Sequence, residues 1–398
     1  MSRLSAVLCL AAALVLSPAL LAAQDPDDED QRDEDTTPPS HFAVNLTINH
    51  WGLSLGNSQR VNGLRINWSD AGLDRINGIN ITLWKPEKPM TGTVTGLAIG
   101  LAGPGAGTIK GLAIGGGGVV TERLMRGIAI AGLGVVSNGD FGGLGIAGLG
   151  VVANHDFTGF GFSGLGVVAN GNFKGIGISG LGVVSNHDFT GIGISGLGTV
   201  ANHNFTGFGF SGLGVVANGD FTGVSIAGLG AVANGTLTGV SVALVGVVGN
   251  RGVRGITVSG IGVVTEGEYH GLAIAGVGVV ANRGIHGYAF GGAGVVTRGT
   301  ITGGAVAIYK VEARAVHGFS VAGLYLKTTE LKGLGVGAYN RVRGTQVGLT
   351  IGLLNYAREL HGVQLGLLNI ARNNKAPWRV LPILNLNLTK RERAAEEQ

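Results

Sequence analysis

Two consecutive stretches decide how this chain folds: 159–174, GFGFSGLGVVANGNFK, and 175–190, GIGISGLGVVSNHDFT. They are one sixteen-residue unit written twice. Glycines at 111, 127, 143, 159, 175, 191, 207, 223, 239, 255, 271, 287 and 303 keep that spacing without a slip. With the first Gly as position 1, positions 2 and 4 are Ile, Leu, Val or Phe, and position 5 is Ala or Ser. Positions 6 and 8 are usually Gly, and 9 and 10 are mostly Val. Position 12 is Asn or a substitute, and position 15 is often Phe. A short fixed period marks one supersecondary unit stacked on itself. β-formers without a 3.6-residue period make that unit extended strand.

Each unit carries one clear turn. Asn138-Gly139, Asn170-Gly171, Asn218-Gly219 and Asn234-Gly235 have the composition of a type I′ turn, which needs positive φ at both central residues. Asn154, Asn186 and Asn202 open the same slot, each followed by His. The charges of this region cluster at or beside these turns, and the strand middles are almost uncharged.

Outside about 111–302 the period loosens. The stretches 41–55, 63–69 and 78–84 before it read as strands, as do 345–357, 362–371 and 379–388 after it. The whole of 41–388 is therefore expected to be a single repeat-built β domain. Residues 1–23 have the layout of a secretory signal peptide: Arg3, an apolar run over 4–16, then small residues before Gln24. Residues 24–40 form an acidic linker that cannot bury a core, with eight of the chain's 24 acids in 25–35. Residues 389–398 are a charged tail.

Composition narrows the function classes. Of 398 residues 76 are Gly, and only 13% are charged, about half the usual share. The single Cys, Cys9, rules out a disulfide framework or a cysteine metal site. The net charge of +4 is an acidic segment set against a basic body. The basic residues are scattered without interleaved aromatics, so no nucleic-acid partner is expected.

Two architectures fit the period. The preferred one is an antiparallel up-and-down β-barrel with one strand per unit. Twelve extended residues tilted by about 40° cross about 30 Å, the apolar height of an outer-membrane barrel. Phe141, Phe157, Phe173, Phe189, Phe205 and Phe221 would then form an interfacial girdle. The segment 338–349 would be a hairpin around Arg343-Gly344. The alternative is a β-solenoid with one rung per unit, positions 2 and 4 filling one inner face and positions 7 and 9 another. Against it, sixteen residues need a second turn that the sequence signals poorly.

The motifs GTQVGLTIGLLNYA (344–357) and GVQLGLLNIA (362–371) resemble the G-x-Q-x-G-L-x-N-x-A pattern of bacterial surface-repeat proteins, the leptospiral-type surface repeat. The resemblance extends over roughly 90–372 through the longer sixteen-residue form. There, Gln at position 3 and Asn at position 9 are mostly replaced by Gly, Ala, Ser and Val. It implies an exported product at the cell surface or envelope and no known activity.

Chemistry is sparse. His155, His187 and His203 are the candidates for metal binding. His, like Asn and Asp, also tolerates a left-handed turn slot, and that turn reading is preferred, so no metal is assigned. Asp140, Asp156, Asp188 and Asp220 lack the nonapeptide pattern of calcium solenoids. Ser163, Ser179, Ser195 and Ser211 recur at position 5, which marks a structural slot rather than a nucleophile. Trp51, Trp68, Trp84 and Trp378 lie in the flanks, as interface anchors or as ordinary packing. No catalytic residue, cofactor site or enzyme activity is expected. The sequence points to an exported, non-enzymatic envelope protein, at the bacterial outer membrane or cell surface. Membrane lipid is the expected partner, with self-association or a surface partner as the alternative.

Overall fold

A glycine at position 1 can enter a backbone region closed to other residues, and every rung uses it. In the computed structural model, which describes residues 42–388, a column of glycines that runs from Gly52 through Gly63, Gly78, Gly96 and Gly111 to Gly362 carries φ between +118° and +157°. Each pairs with the glycine one unit further along: Gly159 with Gly175, Gly175 with Gly191. A Cβ at Gly175 would overlap the carbonyl oxygen of Gly159. The close approach therefore needs glycine both for its φ and for its missing side chain.

The pairing is parallel. Phe157–Ser163 lies beside Phe173–Ser179, and Gly166–Ala169 beside Gly182–Ser185, each residue opposite its equivalent sixteen positions on. The described residues form a β-solenoid of about nineteen turns. At one strand spacing per turn it is about 90 Å long. The antiparallel barrel expected from the sequence is thus corrected to the alternative. Among the described residues, antiparallel pairs occur only at the ends: Ala43–Ile48 with Trp51–Gly56, and Leu354–Ala371 with Val380–Asn387.

The reason lies at the corners. Among the described residues only Asn49, His50 and Ile383 combine a side chain with positive φ. The Asn-Gly and Asn-His pairs are therefore corners of a continuing coil, not type I′ hairpins. The I′ signature falls instead on Asn49-His50, inside what read as one strand over 41–55. The second corner is the Gly-Leu pair at positions 6 and 7. Leu165 donates its N–H to the Leu149 carbonyl at 2.8 Å, and a Cβ at Gly164 would overlap the Gly148 carbonyl.

Side-chain direction follows from these corners. Phe157, Gly161 and Ser163 point inward from the long strand, and Val167 and Ala169 from the short one. Positions 3, 5, 9, 11 and 15 thus make the core, while 2 and 4 face out and 7 sits at a corner. The interior has room for one large side chain per long strand. A Cβ at Gly161 would lie 2.7 Å from Val167 Cγ1 and 3.1 Å from Phe157 Cζ. Position 3 carries Ser241 beside Leu237 and Thr257 beside Val253, while beside the full aromatics Phe221 and Tyr269 it grows no larger than Ser225 and Ala273. The Phe column is not a girdle. Phe141 through Phe221 are fully buried and stack at centroid distances of 4.6–4.9 Å.

The less regular flanks are rungs too. Gly303, Gly318, Gly333, Gly348 and Gly362 continue the column at fifteen and then fourteen residues. The segment around Arg343-Gly344 is no hairpin. Tyr339–Ile351 is one strand, with an irregular register between Val342 and Thr345. Here Asn340, Asn355 and Asn369 replace the core valines, linked by amide hydrogen bonds of 2.7 Å. Gln364 donates to Gln346 at 3.0 Å. The Gln and Asn residues that carry the resemblance, Gln346, Gln364, Asn355 and Asn369, therefore form internal ladders. The expected signal peptide (1–23), acidic linker (24–40) and charged tail (389–398) lie outside the described residues.

Candidate functional site

The solenoid has two unlike edges. The corner at positions 12–14 is polar. Asn154, Asn170, Asn186, Asn202, Asn218, Asn234 and Asn250 each donate Nδ2 to Oδ1 of the Asn one rung earlier, at 2.9–3.1 Å. Asn138 closes this ladder on Glu122 at 2.7 Å. A second ladder runs through position 14. The Oδ1 of Asp156 accepts the backbone N–H of Asn172 at 2.7 Å, and that of Asp188 accepts the N–H of Asn204 at 3.0 Å. Asp140 and Asp220 serve the next rung in the same way. From Asp156 on, Asp and Asn alternate, which separates like charges that a 4.8 Å repeat would otherwise stack. These carboxylates thus tie each rung to the next through Oδ1.

The sequence-predicted residues fall along this edge. His187 and His203 occupy adjacent rungs, with ring centroids 5.1 Å apart and edge to face. His155 is separated from His187 by the rung of Gly171. The position-5 serines are internal, and Ser195 and Ser211 bond each other at 3.0 Å.

A denser group, not singled out from the sequence, lies further along the same edge. Glu268, His270 and His286 place one donor atom each within 4.8 Å of one another. His270 Nε2 is 3.1 Å from Glu268 Oε2, and the two imidazoles stack at 4.7 Å. The hydrogen bond from His270 holds the Glu268 carboxyl below its ordinary range, with Arg283 among the smaller causes. Two imidazoles and a carboxylate suit a divalent transition metal. Arg283 beside them works against added positive charge. This group borders a cleft of about 450 Å³ lined by Asn282, Arg283, His286, Arg298, Thr300 and Arg314, among others. Only the rung register would have revealed it, since Arg283 and Arg314 are two units apart.

The opposite edge, at positions 6 and 7, is apolar. Leu133, Leu149, Leu165, Leu181, Leu213 and Leu229 form an exposed row, continued by Leu244, Ile261 and Val277. Leu165 keeps 47% of its surface in solvent and Leu244 72%. Trp68 and Trp84 sit at the same corner near one end of the row, both exposed and stacked at 6.2 Å. Tyr309 lies at that corner near the other end, with Tyr325 and Tyr339 on the adjoining strands. At that end an open apolar groove of about 760 Å³ is lined by Val321, Val336, Ile351, Leu353, Leu367 and Ile383, among others. The outward side chains at positions 2, 4 and 10 widen the apolar band.

At the N-terminal end, Arg65 and Asp70 form a fully buried ion pair at 2.6 Å. Asp70 also accepts from Asn67, Asn80, Thr82 and the Gly105 N–H. Burial pushes the Arg65 pKa down, opposed by Asp70. Neither residue stood out in the sequence, because a lone Arg and Asp five apart carry no motif.

Comparison with protein-family models, with curated proteins and with solved structures finds no match for this chain.

Proposed function

We propose that this chain is an exported, non-enzymatic β-solenoid of the bacterial envelope that lies on a membrane surface through its leucine edge. The observation that carries this is the segregation of the two edges. The amide ladder and most charges of the regular rungs lie on one, and an unbroken apolar row on the other. A body with that division sits at a water–lipid boundary as an amphipathic helix does, with apolar side chains in the acyl boundary and charges in water. Exposed Trp and Tyr near the two ends of the row suit the headgroup level, where a ring has one apolar and one wet side. The likeness to the leptospiral-type surface repeat and the apolar N-terminal segment support the envelope location.

Flotation of the purified full chain with phosphatidylcholine vesicles tests this. The wild type is expected in the floated fraction, and the variant Leu165→Lys/Leu181→Lys/Leu213→Lys in the bottom fraction. Those leucines are half-exposed, so the substitutions leave the core intact. Equal behaviour of the two proteins would overturn the membrane role of this edge.

Self-association is the second reading. Among the described residues, the strand Ala43–Ile48 pairs on one side only, with Trp51–Gly56, and it exposes Leu46 and Ile48. An open apolar strand edge is a template for pairing with a second copy. Sedimentation velocity over a concentration series separates the two: end-to-end pairing gives elongated multimers without lipid.

A further inference from the structure

We propose that Arg283, Arg298 and Arg314 form an anion site that takes a phosphate group. The inference does not rest on the membrane reading, because it concerns the opposite edge.

The register makes the site. Arg314 donates its backbone N–H to the Gly299 carbonyl at 3.0 Å, and a Cβ on Gly299 would overlap the Arg283 carbonyl. Arg283, Gly299 and Arg314 are therefore successive members of one corner column. The two arginines stand two rungs apart, about 9.6 Å. Between them Gly299 contributes no side chain, and the gap is the cleft of about 450 Å³. Arg298 precedes that glycine and Thr300 follows it, so a third guanidinium and a hydroxyl flank the gap.

Charge and chemistry agree. Among the described residues none of these three exposed arginines has an ion-pair partner within 4.0 Å. The cleft's carboxylate, Glu268, is already engaged by His270. Three guanidinium groups around a hollow whose one carboxylate is Glu268 leave an excess of positive charge, and an anion is the missing component. Guanidinium forks match the tetrahedral oxygens of phosphate in paired N–H···O bonds. His286 at the rim adds a further donor.

The test is calorimetric titration of the full chain with inorganic phosphate at constant ionic strength. Saturable binding of one phosphate per chain is expected. Arg283→Gln/Arg298→Gln/Arg314→Gln should weaken it about tenfold or more, from the loss of hydrogen bonds to a charged group. Arg251→Gln/Arg254→Gln, on the same edge but outside the cleft, should leave it unchanged. Circular dichroism checks folding, and Arg298→Gln alone serves if the triple variant fails that check. Absent or non-saturable binding, an equal loss in the control pair, or full retention in the cleft variant would each overturn the site. So would binding that needs added Zn²⁺, which would move the ligand to Glu268, His270 and His286. Vesicles containing phosphatidic acid identify the source. Capture that is lost in the triple variant and competed by phosphate assigns a lipid headgroup. Phosphate binding without such capture assigns a free or partner-borne phosphate.

Discussion

Asn186 donates its Nδ2 to the Oδ1 of Asn170 at 2.9 Å, across one rung. Each amide inside this ladder, from Asn138 to Asn234, is both donor and acceptor, so the row is satisfied only if those members can do both. Asn186→Ala removes one link on each side and should cost about 1 kcal/mol. Asn186→Asp should cost more, because two oxygens then face each other toward Asn170. Thermal unfolding of both variants against wild type checks the order.

Phe173 and Gly177 compete for one volume. A Cβ at Gly177 would meet Val183 Cγ1 at 2.7 Å and Phe173 Cζ at 3.1 Å. Gly177→Ala is expected to destabilise by about 1–3 kcal/mol, the usual cost of overpacking. Phe173→Leu added to it should recover part of the loss, since natural rungs pair a smaller residue there with Ser or Thr. A double-mutant cycle by chemical denaturation measures the coupling, and strict additivity would contradict the shared volume.

Asp70→Asn leaves the Arg65 guanidinium buried without its counter-charge. Loss of one partner of a buried pair costs about 3–5 kcal/mol. Hydrogen exchange should show the damage first in the rungs Arg60–Asn67 and Arg75–Thr82, which carry Arg65 and Asn80.

Tyr269 gives the fold an alkaline limit. Its ring takes the aromatic slot of the core, and its hydroxyl donates to the Leu272 carbonyl at 2.6 Å. Burial pushes its pKa up to about 12 from an ordinary 10. The folded state therefore holds a proton that the unfolded chain releases. The associated stability is complete below pH 10 and is lost as pH rises through about 12. Melting temperatures from pH 9 to 12 should fall more steeply for wild type than for Tyr269→Phe.

The position of the corners at Asn138, Asn170 and Asn218 was legible in the sequence. Their conformation was not. Asn-Gly serves a hairpin and a solenoid corner equally well, and only the pairing of distant strands chooses between them. The inward face was equally hidden. Apolar residues occupy positions 2 and 4 as well as 9 and 15, so no alternation distinguishes core from surface. Reading the large residues at 2 and 4 as core put Phe160 and Phe162 inside. The small residues at 3 and 5 go inside instead, because the Phe157 ring and Val167 already fill the section.

The sequence by itself determined the all-β repeat, its sixteen-residue period and the polar character of the Asn corner. These are local properties of composition and spacing. The tertiary structure alone decided the parallel stacking, the apolar row along the Gly-Leu corner and the meeting of Arg283 with Arg314 across Gly299. Each depends on which rung lies against which. That register is set by glycine backbones packing at van der Waals contact over one strand spacing, a relation between residues sixteen apart that no single stretch of sequence contains.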